Sequence, residues 1–299
     1  MRWTRDYKPQ PEVKKLYNQA LLVTVGGNIF LAVIKVIVAV ISGSAALFAD
    51  AANSSSDVIY SILMVLGLWA AQRPPDISHP QGHRRFEPLV GLAVTISMGL
   101  SGFLAARNAY IRFSEGGQAI EPGLPIVVLL LSAAMKVGMF LAIRTIAKKL
   151  LSPTLHTTAQ DNLSDVLTSL AAFVGVVGSS LINPLVDPIA GFVVAAWIFR
   201  AAFNAARDNL GFLTGAGASE ELRLHIVEIA EGVPGVVRVH HTMADYVGPA
   251  LMVDLHINVD GKMTLNEAHT ISDEVIKRLE AMPEVDRAYV HIEPHDWQD

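Results

Sequence analysis

The 299-residue chain contains no cysteine. That excludes disulfides and any thiolate metal site. Charge is scarce too: Asp, Glu, Lys and Arg make up 17% of the residues, against 52% hydrophobic ones. A soluble protein of this length rarely carries so little charge. The net charge of -5 gives no basic surface to recommend nucleic acid as a partner. No Gly-rich Lys-Ser/Thr loop occurs, which argues against an ATP-driven pump within this polypeptide. A polar, basic opening segment, MRWTRDYKPQPEVKK, precedes an apolar run too long for the core of a signal peptide, so that run reads as a retained membrane span.

What is abundant is apolar sequence in windows of about twenty residues, the length that crosses a bilayer. Six such windows fall near 18–42, 45–71, 88–112, 124–146, 156–182 and 185–206. Polar breaks such as QRPPDISHPQGHRR and SEGGQAIEPG separate them. Positive charge alternates along the loops. Arg2, Arg5, Lys8, Lys14 and Lys15 precede the first span, Arg73, Arg84 and Arg85 lie in the second loop, and Arg144, Lys148 and Lys149 mark the fourth; the first and fifth loops have none. This alternation predicts a multi-pass protein of the cell membrane, surrounded by lipid bilayer, with both termini cytoplasmic. The expected organisation is an N-terminal segment over 1–17, a six-helix transmembrane domain over 18–208, a linker over 209–218 and a C-terminal domain over 219–299.

Beyond the spans the pattern changes. Ser219 precedes acidic residues as a helix N-cap, predicting a helix over 219–232. VVRVHHTMADYV and ALMVDLHINV alternate like strands and face each other across Gly-Pro. Residues 265–282 form an amphipathic pattern, and DRAYVHIEP reads as a last strand. An α-β-β-α-β order suggests a ferredoxin-like α+β domain. The predicted fold class is therefore membrane all-α with six transmembrane helices, followed by a cytoplasmic ferredoxin-like α+β domain.

The exceptions to the apolar rule carry the chemistry. In ADAANSSSD, Asp50, Asn53 and Asp57 share one helical face in the second span. In DNLSDVLTS of the fifth span, Asp161 and Asp165 stand at i, i+4. The two stretches share Ser-Asp-Val and a Ser three positions after the Val, a short inverted repeat of the kind found at transporter sites near the bilayer midplane. Charge in hydrocarbon costs roughly 3 kcal/mol per residue on insertion scales. Only Lys35 and Lys136 lie deep in a span, so two cations face four aspartates. Two readings follow. The carboxylates are protonated and join helices by hydrogen bonds, or they hold a divalent cation that exchanges with protons. In the second, Asn53, Asp57, Asp161 and Asp165 supply four oxygen-bearing side chains at one point. Asp50, one turn away, would orient a ligand or receive the ion on its way in. Metal needs ionised carboxylates and burial disfavours charge, so proton and metal compete for the same groups.

These residues resemble the cation diffusion facilitator family of metal/proton antiporters over nearly the whole chain. SAALFADAANSSSD is similar to its span-two pattern, DNLSD to its span-five pattern, and HPQGHRRFEP to the stretch that opens span three. The resemblance implies a secondary transporter rather than an enzyme, with Asn53, Asp57, Asp161 and Asp165 as its transport site. Zinc members usually offer a histidine there, and this quartet has none. An all-oxygen set resembles the manganese-type subgroup, and carboxylate and carbonyl ligands suit Mn²⁺ where imidazole suits Zn²⁺. The expected activity is export of Mn²⁺ from the cytoplasm coupled to H⁺, with Fe²⁺ and Zn²⁺ as alternatives. A membrane-tethered metal sensor and an ion channel are the competing classes. No cofactor is expected beyond the transported metal.

Further ligands are implied outside the spans. Asp76, His79 and His83 in the second loop have the spacing D-x-x-H-x-x-x-H, at which some relatives bind metal. The alternative is a solvated loop whose histidines cap a helix or touch headgroups. In the tail, His240, His256, His269, His291 and Glu293 resemble positions where relatives hold metal in the cytoplasmic domain. Metal there would neutralise an acidic domain and draw two copies into a homodimer. His225, His241 and His295 have no such match and read as surface residues. Asn28 is expected to make an interhelical hydrogen bond, Gly91 and Gly99 to serve helix packing, and Glu87 to pair with an arginine.

Overall fold

The computed structural model describes residues 3–4, 10–42, 45–116 and 124–295; within them, the side chains of 42, 45–50, 52–53, 124–125, 176 and 180 stand outside the description. Six long helices come first: α1 (Pro11–Ser42), α2 (Ala45–Ala71), α3 (Phe86–Ser114), α4 (Leu124–Leu150), α5 (Pro153–Leu181) and α6 (Val186–Thr214). All six are long and apolar enough to cross a membrane. Several of their ends overrun the apolar windows, those of α1, α4 and α6 by the most. α1 begins at Pro11, a residue that suits the first helical turn. α6 runs on to Thr214, through residues expected to open the linker. Apolar windows measure bilayer thickness, whereas a helix continues until its backbone meets a stop, here Gly215 at φ 74.

Within the bundle α4 packs mainly on α5 and α1 on α2, with further packing of α1 on α4, α3 on α5 and α2 on α3. Tyr17, Met64, Leu68, Ile143 and Leu155 form a core where α1, α2, α4 and α5 meet. Lipid tails are as apolar as these side chains, so close packing and buried polar contacts hold such a bundle together. Three of those contacts fall on Glu87, in the first turn of α3. Tyr17 of α1 donates to its Oε2 at 2.7 Å, Ser152 donates to its Oε1, and Thr154 donates to its backbone carbonyl. Ser152 also caps α5, accepting from the Leu155 amide. The expected arginine, Arg84, acts on Glu87 as a nearby charge, while hydroxyls make its side-chain hydrogen bonds at 2% exposure. Gly91 bears out a packing role: a Cβ there would meet Asn209 Oδ1 at 2.0 Å, while one at Gly99 would meet nothing within 4 Å.

α5 is unusually polar for a span. Thr157, Thr158, Asn162, Ser164 and Thr168 each hydrogen-bond to the backbone carbonyl four residues earlier, at 2.9–3.0 Å.

The second compact unit begins at Gly211. It holds α7 (Glu220–Glu231), β1 (Arg238–Val247), β2 (Ala250–Val259), α8 (Leu265–Leu279) and β3 (Val285–Pro294), the ferredoxin-like α-β-β-α-β order read from the sequence. Ser219 caps α7 as expected, and Thr264 with Glu267 forms a capping box on α8. β1 and β2 pair antiparallel, and β3 lies parallel to β2 after crossing over through α8. Alternate residues of the central strand, Leu251, Val253, Leu255 and Ile257, are fully buried against Ile226, Ala230, Val275 and Leu279. Each such side chain stabilises by roughly 1.5–3 kcal/mol on burial. The opposite alternation sends His256 and Asn258 to the other face.

Candidate functional site

The aspartates of α2 and α5 meet across a lysine. Nζ of Lys136, on α4, lies 3.3 Å from Asp57 Oδ2 and 2.6 Å from Asp165 Oδ2. It donates to Asn28 Oδ1 at 3.1 Å. Asn28 in turn donates to Ser61 Oγ at 2.7 Å, the interhelical role expected of it. The Asp165 contact is the shorter of the two carboxylate contacts. Asp161, one turn before Asp165, lines with Asp57 a cavity of about 20 Å³ shared with Thr24, Asn28, Ser61 and Thr158. That is room for about one water molecule.

Asp57 of α2 and Asp165 of α5 are thus joined through one side chain of α4. The sequence placed Lys136 deep in a span but gave no sign of which carboxylates it would touch. That partnership joins residues 29 and 79 positions apart along the chain, 165 − 136 and 136 − 57. One ammonium does not balance three carboxylates, and adding the other buried lysine, Lys35, would still leave an excess of negative charge. Asn53 and Asp50 belong to α2 by backbone, but their side chains lie outside the described residues.

Two other groups bring three potential ligand atoms within 4.8 Å of one another, and both lie outside the spans. In the loop after α2, Asp76 Oδ1 accepts from the His79 amide at 2.7 Å and Oδ2 lies 3.4 Å from His83 Nε2. The His79 amide, with both imidazoles nearby, holds the Asp76 carboxyl below its ordinary range. His83 Nδ1 faces the Pro74 carbonyl at 3.1 Å. With Nδ1 donating there, Nε2 presents a lone pair to a carboxylate, an arrangement that calls for a proton or a cation between them.

In the C-terminal domain the group is His240, His256 and Glu293. Glu293 Oε2 lies 3.1 Å from His240 Nε2, and its Oε1 lies 3.4 Å from both His256 Nδ1 and His291 Nε2. Local strand geometry explains the grouping. His256 pairs with His291 in the parallel register, and Glu293 follows two residues on, on the same face. A register shift between Val239 and His241 makes His240 an extra residue in β1. Such a bulge turns a side chain that strict alternation would place elsewhere. His241 therefore also faces His256, their rings 4.9 Å apart, a neighbour that the sequence reading left as a surface residue. His269 stands apart, on the exposed face of α8 beside Asp273 at 3.6 Å, so of the five expected ligands three form the group and His291 adjoins it through Glu293. Its helix buries Ser272, Val275 and Leu279 instead. His225 lies beside Glu228 on α7.

Known proteins share this architecture. Residues 21–214 match the cation efflux transmembrane domain, and residues 218–295 match the cytoplasmic domain of cation efflux proteins. An uncharacterised transporter of Methanocaldococcus jannaschii is 34% identical over 92% of this chain and 98% of its own length. The manganese efflux system protein MneS of Bacillus subtilis is 29% identical over 95% of this chain and 97% of its own. Among solved structures, a cadmium form of the MamM CTD is 35% identical over 26% of this chain and 96% of that one, with a TM-score of 0.25. Two domain matches in the expected order and relatives aligned nearly end to end place the chain in the cation efflux family, as a multi-pass membrane transporter of metal cations.

Proposed function

We propose that this protein exports Mn²⁺ from the cytoplasm in exchange for protons, through a site made of Asn53, Asp57, Asp161 and Asp165. The observation that carries the reading is the meeting of α2 and α5 carboxylates on one cation inside an apolar bundle. The hard, all-oxygen donor set favours manganese over the imidazole-seeking Zn²⁺, and two Bacillus subtilis relatives are named as manganese efflux proteins. Fe²⁺ differs little from Mn²⁺ in size and hardness and is the nearest competitor, with Zn²⁺ behind it. Protons compete with metal for the same carboxylates, so an inward proton gradient drives metal outward if the site opens to each side in turn. Both termini are cytoplasmic in this reading, following the positive charge of the loops. The C-terminal domain brings two copies together and binds regulatory metal through His240, His256, His291 and Glu293, a mixed donor set that suits several divalent ions. Asp76, His79 and His83 form a further, more exposed metal site.

Competition flux in proteoliposomes tests this, with Mn²⁺, Fe²⁺ and Zn²⁺ offered together, with and without a pH gradient. Proton-coupled flux led by Mn²⁺ is expected. Uncoupled flux would point to a channel, absence of flux to a tethered sensor, and preference for Fe²⁺ or Zn²⁺ would reassign the substrate.

A further inference from the structure

We infer that Lys136 is a tethered competitor of the transported cation: its ammonium occupies the place between α2 and α5 that metal takes, and must leave Asp165 and Asp57 for metal to enter. This rests on the reading of those aspartates as the transport site.

The argument begins with cost. A lysine buried in a bilayer is expensive, and so are aspartates beside it, unless each supplies the other's counter-charge. Lys136 is 5% exposed, and among the described residues its Nζ forms ion pairs with Asp57 Oδ2 and Asp165 Oδ2. Those are ligand atoms of the proposed site. Carboxylate oxygens hold Mn²⁺-sized ions at roughly 2.1 Å. An ammonium 2.6 Å from Asp165 Oδ2 fills the space such an ion would need and repels it. The two cations are therefore mutually exclusive at Asp165 Oδ2.

The surroundings allow the exchange. Charge holds the ammonium to Asp165 and Asp57, and a divalent cation supplies that charge in its place. The lysine stem is flexible, with its charge at the tip. Asn28 Oδ1, at 3.1 Å, is a neutral acceptor on a third helix, and its own amide is fixed by Ser61, so it offers the displaced ammonium a partner that is no metal ligand. An internal cation of this kind lowers metal affinity and assists release, because departing metal leaves behind carboxylates that the lysine then covers.

The experiment measures, by calorimetry at one pH and ionic strength, Mn²⁺ binding to the purified full-length protein in a Glu293→Ala, Asp76→Ala background, which removes the two other proposed metal sites. It compares that background alone with Lys136→Met, Lys136→Gln and Lys136→Arg added to it. Gln keeps hydrogen-bond donors without charge, and Arg keeps the charge. Tighter binding is expected for Met and Gln, by roughly tenfold or more, within the usual range for two coupled ligands; Arg should show no gain. Slower Mn²⁺ dissociation should accompany the tighter binding. Folded Met and Gln variants that bind Mn²⁺ no more tightly than the background alone would overturn the inference. If either variant folds only when Mn²⁺ is supplied, metal is replacing the lysine, as expected. Failure of both to fold with and without saturating Mn²⁺ would make Lys136 a structural brace and overturn it too. Mn²⁺ binding in that background left undiminished by Asp57→Ala and Asp165→Ala would instead sink the transport-site reading, and this inference with it.

Discussion

On the sheet of the C-terminal domain, His240, His256 and Glu293 already stand with their ligand atoms within 4.8 Å of one another. In the helical bundle, Asp57 and Asp165 are held to a lysine, and with Asp161 they do not form such a group. The backbone accounts for part of this contrast. A strand ladder sets neighbouring residues at fixed spacing, so His256 beside His291 is a matter of register. Helices have no such ladder between them, and the distance from α2 to α5 follows the packing of their side chains. Donor chemistry differs as well: imidazole and carboxylate on the sheet, oxygen alone in the bundle. A preformed site suits an ion that stays and signals its presence. A site that must also let its cargo go gains from parts that separate.

The largest expected effect tests the bundle side of the comparison. Asp57→Ala, Asp161→Ala and Asp165→Ala should each reduce Mn²⁺ flux in proteoliposomes to background. The loss should exceed the roughly 10–100-fold typical when a mere outer partner of a metal ligand is removed. Full flux from any one variant, at matched reconstitution, would take that residue out of the site. Next in size, Asn53→His should raise the ratio of Zn²⁺ to Mn²⁺ flux while transport stays proton-coupled. It adds an imidazole to an otherwise all-oxygen set. An unchanged ratio would mean that metal choice is made elsewhere.

On the sheet side, Glu293→Ala should abolish one metal-binding event in the C-terminal domain, since that carboxylate touches all three imidazoles, of His240, His256 and His291. His269→Ala should leave that event in place. Titration of the domain produced alone separates the two, and equal losses would restore His269 to the set. Flux should survive in both variants to a measurable degree, because every proposed transport ligand precedes residue 166.

The smallest effect concerns the scaffold under the sheet. Thr264→Ala should destabilise the domain by about 1 kcal/mol through loss of the α8 capping box. The Thr264 amide and hydroxyl hold the Glu267 carboxyl below its ordinary range. A lowered folded-state value means this stabilisation is present above the ordinary carboxylate range and fades as pH falls through the lowered one. The gap in Tm between the two forms should therefore narrow in acid; a gap that widens would contradict the sign.

Much of this was legible along the chain, and the parts that were not share a cause. α2 was bounded at residues 45 and 71 by its apolar window alone, and β2 by its alternation. The i, i+4 spacing of Asp161 and Asp165 follows from helical geometry and needed no neighbour. What spacing could not reach was contact between elements distant in sequence. Arg84 was a visible neighbour of Glu87 along the chain, but Tyr17 and Ser152, which hydrogen-bond to it from α1 and from the residue before α5, were not. Lys136 was visible as a lysine in the wrong solvent, but its two aspartates come from separate helices. The bulge at His240 breaks the very alternation by which a strand is recognised.

The hydroxyl and amide groups of α5 lead to one more conclusion. Because Thr157, Thr158, Asn162, Ser164 and Thr168 spend their donors on the backbone of their own helix, that polarity is portable. A span whose side chains depended on neighbours would strand unpaired donors in hydrocarbon whenever it shifted. α5 carries most of its acceptors with it, and such back-bonding also lets a helix bend slightly. Were the element bearing Asp161 and Asp165 to shift, these hydrogen bonds would travel with it, and the cost would fall on its few contacts with other helices, such as Asn209 to Thr157 and Lys136 to Asp165.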